Sequence, residues 1–226
     1  MKLLAIETAS EACSAALYLD GALSERYALA PREHARLILP MVDELLREAD
    51  LSPGVLDAVA FGRGPGAFTG LRIAAGVAQG IAFGVDLPVV AVSSLAALAQ
   101  GLYRERGAAR VLAAIDARIG EVYWGKYEAD ATGLMILRGE ERVVPPGEVS
   151  LPEGGDWHGV GSAWGIYGDS LRTRLSGRLA TIDAARYPRA CDVAVLAAAA
   201  YRRGEAVSAE LAAPVYLRDE VAVKQR

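Results

Sequence analysis

Gly64-Pro65-Gly66-Ala67-Phe68-Thr69-Gly70-Leu71-Arg72-Ile73 follows a short apolar run, Leu56 to Gly62, and opens a long apolar segment that continues to about Gly84. That order predicts a strand, a glycine-rich turn and a helix, since glycine reaches backbone conformations closed to other residues and admits close neighbours. Pro88 to Val92 then reads as a buried strand. A strand, helix and strand in succession imply a parallel pair with a helical crossover.

Three apolar or alternating runs lie upstream: Leu3 to Thr8, Cys13 to Leu19 and Leu23 to Leu29, the last two joined by Asp20-Gly21, a strong hairpin signal. They predict an antiparallel meander. Pro31 ends it, and His34 to Ala49 carries apolar residues at 38, 41, 42, 45 and 49, one face of a helix. Leu37, Leu39 and Leu46 make a second face apolar, and a helix apolar on two faces must bury both. One face has the chain's own sheet, and the other calls for a further surface such as another subunit. In the helix after the glycine loop, Gly76, Gly80 and Gly84 recur every fourth residue. Each costs roughly 1 kcal/mol relative to alanine in a helix interior, so the flat stripe they form implies close packing by another backbone.

After a helix over Leu95 to Arg104 the opening recurs. Ala113-Ala-Ile-Asp-Ala117 resembles Leu4-Ala-Ile-Glu-Thr8 at a spacing of 109 residues, and each is followed by a second strand, Glu121 to Tyr127 and Cys13 to Leu19. Beyond it lie a Gly- and Pro-rich stretch from Pro145 to Gly165, a helix near Trp164 to Leu175, a strand near Leu179 to Ile182 and an alanine-rich helix, Asp192 to Arg203. Two related lobes are expected, one over residues 1–95 and a reduced one over residues 96–226.

The 226 residues are 53% hydrophobic, ample for a packed core. A net charge of −4 disfavours gripping a phosphate backbone unaided, which depends on Lys and Arg neutralisation. Cys13 and Cys191 form no C-x-x-C pair and read as small buried residues. Only four apolar residues separate Lys2 from Glu7, too few for a secretory leader, and the uncharged run Leu87 to Tyr103 holds Pro88, Ser93, Ser94 and Gln100, which argues against a membrane span. A cytoplasmic protein without membrane contact is expected.

The glycine loop fits no nucleotide motif well. A P-loop requires Lys after its last glycine, and here Leu71 and Arg72 follow Gly70. Gly62, Gly64 and Ala67 match a G-x-G-x-x-A dinucleotide fingerprint with Asp86 downstream, but Pro65 and the antiparallel start do not belong to that unit. Gly168-Asp-Ser-Leu171 spells an esterase nucleophile motif, yet no histidine follows Ser170 to activate it.

The glycine motif together with Leu4-Ala-Ile-Glu-Thr-Ala9, His34-Ala-Arg-Leu-Ile-Leu-Pro40 and Pro214-Val-Tyr-Leu-Arg218 resembles the TsaB (YeaZ) family over essentially the whole chain. The resemblance implies a two-lobe α/β fold of the actin, sugar kinase and Hsp70 class (ASKHA). It also implies a non-catalytic scaffold for TsaD, the paralogous catalyst that transfers a threonylcarbamoyl group to N6 of the adenosine beside the tRNA anticodon. TsaD would be the direct partner, the ATPase TsaE a further one, and tRNA would be met only through the complex. Self-association is the alternative when the partner is absent.

The family's catalysts carry H-x-x-x-H metal ligands where this chain reads Val92-Ser-Ser-Leu-Ala-Ala-Leu98, and its two histidines, His34 and His158, lie far apart in sequence. The D-x-G-[ST] phosphate turn of actin-like ATPases is replaced by Glu7-Thr8-Ala9-Ser10 and by Asp116-Ala117-Arg118. No catalytic, cofactor-binding or metal-binding residue is therefore assigned, and the competing enzyme classes, a metallopeptidase or a small kinase of the same superfamily, lack their ligands. Gly64, Gly66 and Gly70 are assigned a backbone role in the loop, and Leu37, Met41, Val77 and Ile81 are expected at the partner interface from apolar helical spacing.

Overall fold

A computed structural model describes residues 1–218. The chain opens with the expected meander, β1 (Lys2–Glu7), β2 (Ala12–Leu19) and β3 (Ala22–Leu29), followed by α1 (His34–Glu48), β4 (Ala58–Gly64), α2 (Phe68–Gly84) and β5 (Val89–Ser93). The strands form one sheet in the order β3-β2-β1-β4-β5, with β1 antiparallel to β2 and parallel to β4. Then come α3 (Ser94–Arg106), β6 (Arg110–Arg118), β7 (Glu121–Ala129), β8 (Met135–Leu137) and β9 (Arg142–Val144). The described chain continues through β10 (Trp157–Val160), α4 (Ala163–Ile166), α5 (Gly168–Arg174), β11 (Leu179–Asp183) and α6 (Ala190–Arg202).

The second sheet runs β8-β7-β6-β10-β11, with β9 also paired to β7. Its order is the first sheet's order over again, β6 and β7 standing where β1 and β2 stand, so the repeat seen at Leu4 and Ala113 is a repeat of topology. This duplicated arrangement is the ASKHA fold.

Side-chain alternation divides the first sheet into two apolar faces. Leu4, Ile6, Val59 and Phe61 point to one face, where Ile38, Val42 and Leu45 of α1 and Ala74 and Ala78 of α2 cover them. Leu3, Ala5, Ala58 and Ala60 point to the other, against Val193, Ala194 and Ala197 of α6. Alanines on both sides leave that face flat, and an alanine-rich helix can therefore lie close upon it. On the second sheet Leu95, Leu98 and Leu102 of α3 pack on Val111, Ala113 and Ile115. The opposite face holds Trp124, Trp157 and Trp164 with Leu171 and Leu175.

Several elements differ from their sequence expectation. The single helix predicted over Trp164 to Leu175 is two short helices that meet at Tyr167. The Pro145 to Gly165 stretch contains β10, an interior strand paired in parallel with both β6 and β11. At four residues, with Gly159 in its middle, β10 is too short and too glycine-interrupted to show a strand periodicity. Helix α6 follows the second sheet in sequence yet is packed on the first sheet.

Candidate functional site

The glycine loop closes on the end of β1. Ala67 donates its amide to the Ala9 carbonyl at 2.7 Å, and the Thr8 hydroxyl donates to the Gly70 carbonyl at 2.7 Å. A Cβ at Gly66 would strike the Ala9 carbonyl and one at Gly70 the Thr8 carbonyl, while Gly64 has φ +100°, a left-handed geometry that glycine adopts without strain. Gly66 and Gly70 thus lie against the turn after β1, while an added Cβ at Gly64 would meet Leu71 and the Val215 carbonyl. On the turn where an actin-like ATPase would present backbone to phosphate, the Ala9 carbonyl is taken up by the Ala67 amide and the Thr8 carbonyl is covered by Gly70.

Glu7 anchors this junction from below. It is fully buried, accepts the Ala9 amide at 2.6 Å and the Ser94 hydroxyl at 2.8 Å, and lies under Gly62, where any Cβ would overlap its carboxyl group. Burial raises its pKa above the ordinary carboxylate value, and the Ala9 and Ser94 bonds offset part of that rise. Asp116, its counterpart in the repeat, instead accepts the Arg118 amide at 2.9 Å and the Tyr167 hydroxyl at 3.2 Å on the wall of the cleft between the lobes.

Helices α1 and α2 lie side by side on the outer face of the first sheet. Leu37, Met41, Val77 and Ile81 are half-buried and packed against the core beneath, Met41 with its sulfur 4.0 Å from that of Cys13. The stripe of Gly76, Gly80 and Gly84 is exposed, and a Cβ at any of them would meet no atom within 4 Å. Nothing in the described chain packs on it. Phe83 at the end of the same helix is 72% exposed and Leu39 on α1 55%.

A cleft of about 880 Å³ separates the lobes, lined by the Ser10 turn, the Gly66 to Leu71 loop, Asp116 to Arg118 and Val215 to Arg218. Away from its mouth the lobes are tied by ion pairs. Asp192 on α6, 1% exposed, accepts two bonds from Arg104 of α3 at 2.8 and 3.2 Å. Arg189, just before α6, joins Glu25 of β3 at 3.0 Å, and within the second lobe Arg186, which also lines the cleft, pairs with Glu105 at 2.7 Å and with Asp183 of β11 at 3.4 Å. The bond to Asp192 raises the pKa of Arg104 further above its already high value.

The two histidines stay apart. His34 at the start of α1 bonds the Ser10 carbonyl at 2.8 Å, and His158 on β10 bonds the Thr181 hydroxyl at 2.8 Å. Among the described residues no group of three or more His, Cys, Asp or Glu is placed to hold a metal ion. Ser170 is exposed on α5, Cys13 and Cys191 are buried free thiols, and no described helix is long and apolar enough to cross a membrane. Sequence spacing does not reveal the Arg104–Asp192 contact or the course of residues 213–218. The lone acid early in the alanine-rich α6 was the signal for the first, and Pro214-Val-Tyr-Leu-Arg218 for the second.

Comparison with known proteins gives consistent matches. The family model for TsaD, tRNA N6-adenosine threonylcarbamoyltransferase, matches residues 28–225. The tRNA threonylcarbamoyladenosine biosynthesis protein TsaB of Escherichia coli K12 is 44% identical over 228 residues, covering 100% of this chain and 98% of the relative. Its counterpart in Haemophilus influenzae is 38% identical, covering 100% and 97%. The solved structure of YeaZ from Pseudomonas aeruginosa superposes with a TM-score of 0.90 at 52% identity, over 96% of this chain and 99% of that one. A tRNA N6-adenosine threonylcarbamoyltransferase from Nitratidesulfovibrio vulgaris is 42% identical over 123 residues, 46% of this chain and 34% of the enzyme.

Proposed function

We infer the function from one premise: this chain belongs to the TsaB family of tRNA threonylcarbamoyladenosine biosynthesis proteins. It acts as a non-catalytic subunit that binds and positions TsaD, the family member that transfers the threonylcarbamoyl group to N6 of the tRNA adenosine beside the anticodon. TsaE is a further member of the assembly, tRNA is met through the complex, and the setting is the cytoplasm.

The observation that carries the docking half of this proposal is the uncovered glycine stripe. Gly76, Gly80 and Gly84 sit open on α2 beside the half-buried Val77 and Ile81, and across the seam from Leu37 and Met41 of α1. Gly76 and Gly80, inside the helix, cost it roughly 1 kcal/mol each, and no contact within the described chain offsets the loss. A helix of TsaD laid along the stripe could approach backbone to backbone, with the flanking apolar side chains enclosing it. A second copy of this chain could use the same face when TsaD is absent.

The test is to mix the purified chain with TsaD, measure complex mass by analytical ultracentrifugation, and assay tRNA modification with TsaE and the threonylcarbamoyl donor supplied. A heterodimer and modification that depends on this chain are expected. Modification by TsaD and TsaE alone at the full rate would overturn the scaffold role.

A further inference from the structure

We propose that the mouth of the inter-lobe cleft is a receptor for an extended peptide bearing an aromatic residue with arginine two positions on, and that the chain fills this receptor in cis with its own Pro214–Arg218 segment, clamping the lobes together. The segment is anchored on both lobes. Just before it, the Ala212 carbonyl accepts the side-chain amide of Gln79 on α2 at 2.9 Å. Val215 then donates its amide to the Arg63 carbonyl at the end of β4 at 2.9 Å. Tyr216 packs on Phe68, ring centroids 5.6 Å apart, and the Arg72 guanidinium lies 3.9 Å over the same Phe68 ring, with its Nε 3.4 Å from the Tyr216 hydroxyl. Finally Arg218 crosses to the second lobe, where it pairs with Glu121 and donates to the Arg118 carbonyl at 3.5 Å.

These contacts make a peptide site rather than a piece of core. A single main-chain bond sets the register, an aromatic platform takes the ring, and one carboxylate takes the guanidinium, the division of labour found where extended peptides are recognised. Tyr216 remains 45% exposed and Phe68 53%, so their pairing can open without exposing a packed interior. The receptor side is also shaped for the segment: Gly64 is the residue whose added Cβ would press on the Val215 carbonyl, at 3.3 Å. At the far anchor, Arg118 and Ile119 both hold positive φ, 63° and 54°. These residues form the tight turn that joins β6 to β7, and Arg218 bonds the carbonyl at its start.

Hydrogen–deuterium exchange on the full chain carrying Tyr216→Ala and Arg218→Ala together tests the proposal. Amides in residues 66–71 and 119–121 are expected to exchange at least fivefold faster than in the unaltered chain, with β1, β4 and β6 unchanged. Acceleration confined to residues 213–218 would show a passive tail, and uniform acceleration would show an ordinary part of the core; either result overturns the clamp. A synthetic acetyl-Pro-Val-Tyr-Leu-Arg-amide peptide added to the double variant should restore protection at 66–71. A tethered segment competes at an effective concentration on the order of millimolar, so half-restoration is expected in that range. The same peptide with alanine for tyrosine should be inert. Failure of the Tyr peptide at several times that concentration, or equal action of the Ala peptide, overturns the receptor.

Discussion

The hydroxyl of Thr8 donates to the carbonyl of Gly70 at 2.7 Å, while the carbonyl of Thr8 occupies the space in which a Gly70 Cβ would stand. The β1 turn and the glycine loop are thus locked face to face through their backbones.

Gly70→Ala is expected to cost about 1–3 kcal/mol, the range for forcing a methyl into a packed site, because the clash is with main chain that cannot rotate aside. For a chain of this size that lowers the melting temperature by roughly 2–12 °C. A melting curve unchanged by the substitution would show that the loop can leave the turn freely.

Gly80→Leu should separate folding from assembly. No atom lies within 4 Å of a Cβ at this position, and leucine is the better helix former by about 0.5–1 kcal/mol, so the isolated protein should melt slightly higher. In the presence of TsaD the same side chain would stand in the stripe and prevent close approach, and complex formation in ultracentrifugation should be lost. Met41→Glu, on the neighbouring α1, should also lose the complex; because Met41 is half-buried against Cys13, some loss of stability should accompany it. A Gly80→Leu protein that binds TsaD at wild-type affinity would remove the stripe from the interface.

The buried Glu7 gives the fold a pH dependence of unusual sign. Its folded pKa lies above the ordinary value of 4.5, so the folded state holds this proton more tightly than the unfolded state. Its contribution to stability is present at low pH and declines as pH rises from about 4.5 through the folded pKa. Glu7→Gln keeps the shape and can still accept the Ala9 amide while donating to Ser94. The variant should lose that decline and be at least as stable as the parent at pH 7. Denaturant midpoints at pH 5 and pH 7 check this, and a parallel slope in both proteins would contradict it.

Arg104→Ala would leave Asp192 buried without its partner. Breaking a fully buried pair costs roughly 3–5 kcal/mol; the Arg104 side chain is 35% exposed, so about 2–3 kcal/mol is expected. Adding Asp192→Asn, which removes the stranded charge, should recover part of the loss. Additive losses in the double variant would show that the two side chains are not coupled.

What the sequence by itself determined follows from periodicity and from local chemistry. The meander, α1, the turn into α2 and the parallel β5 are each set by apolar spacing within one segment, and the recurrence of Leu4-Ala-Ile-Glu as Ala113-Ala-Ile-Asp carried the duplicated sheet order. The glycine motif carried the family, and Gly64, Gly66 and Gly70 were legible as backbone positions because few other reasons place glycine so densely in a strand-to-helix turn. Tertiary structure alone decided what those glycines approach, since the carbonyls of Thr8 and Ala9 lie more than fifty residues away and no local pattern encodes them. It also decided that α6 returns to the first sheet, because an alanine-rich helix fits any flat apolar face and only the matching alanines of β1, β2 and β4 select one. The same limit applied to Gly76, Gly80 and Gly84: spacing put them on one side of α2, but whether that side meets the protein's own interior or open space depends on where the other helices lie, and here it is open.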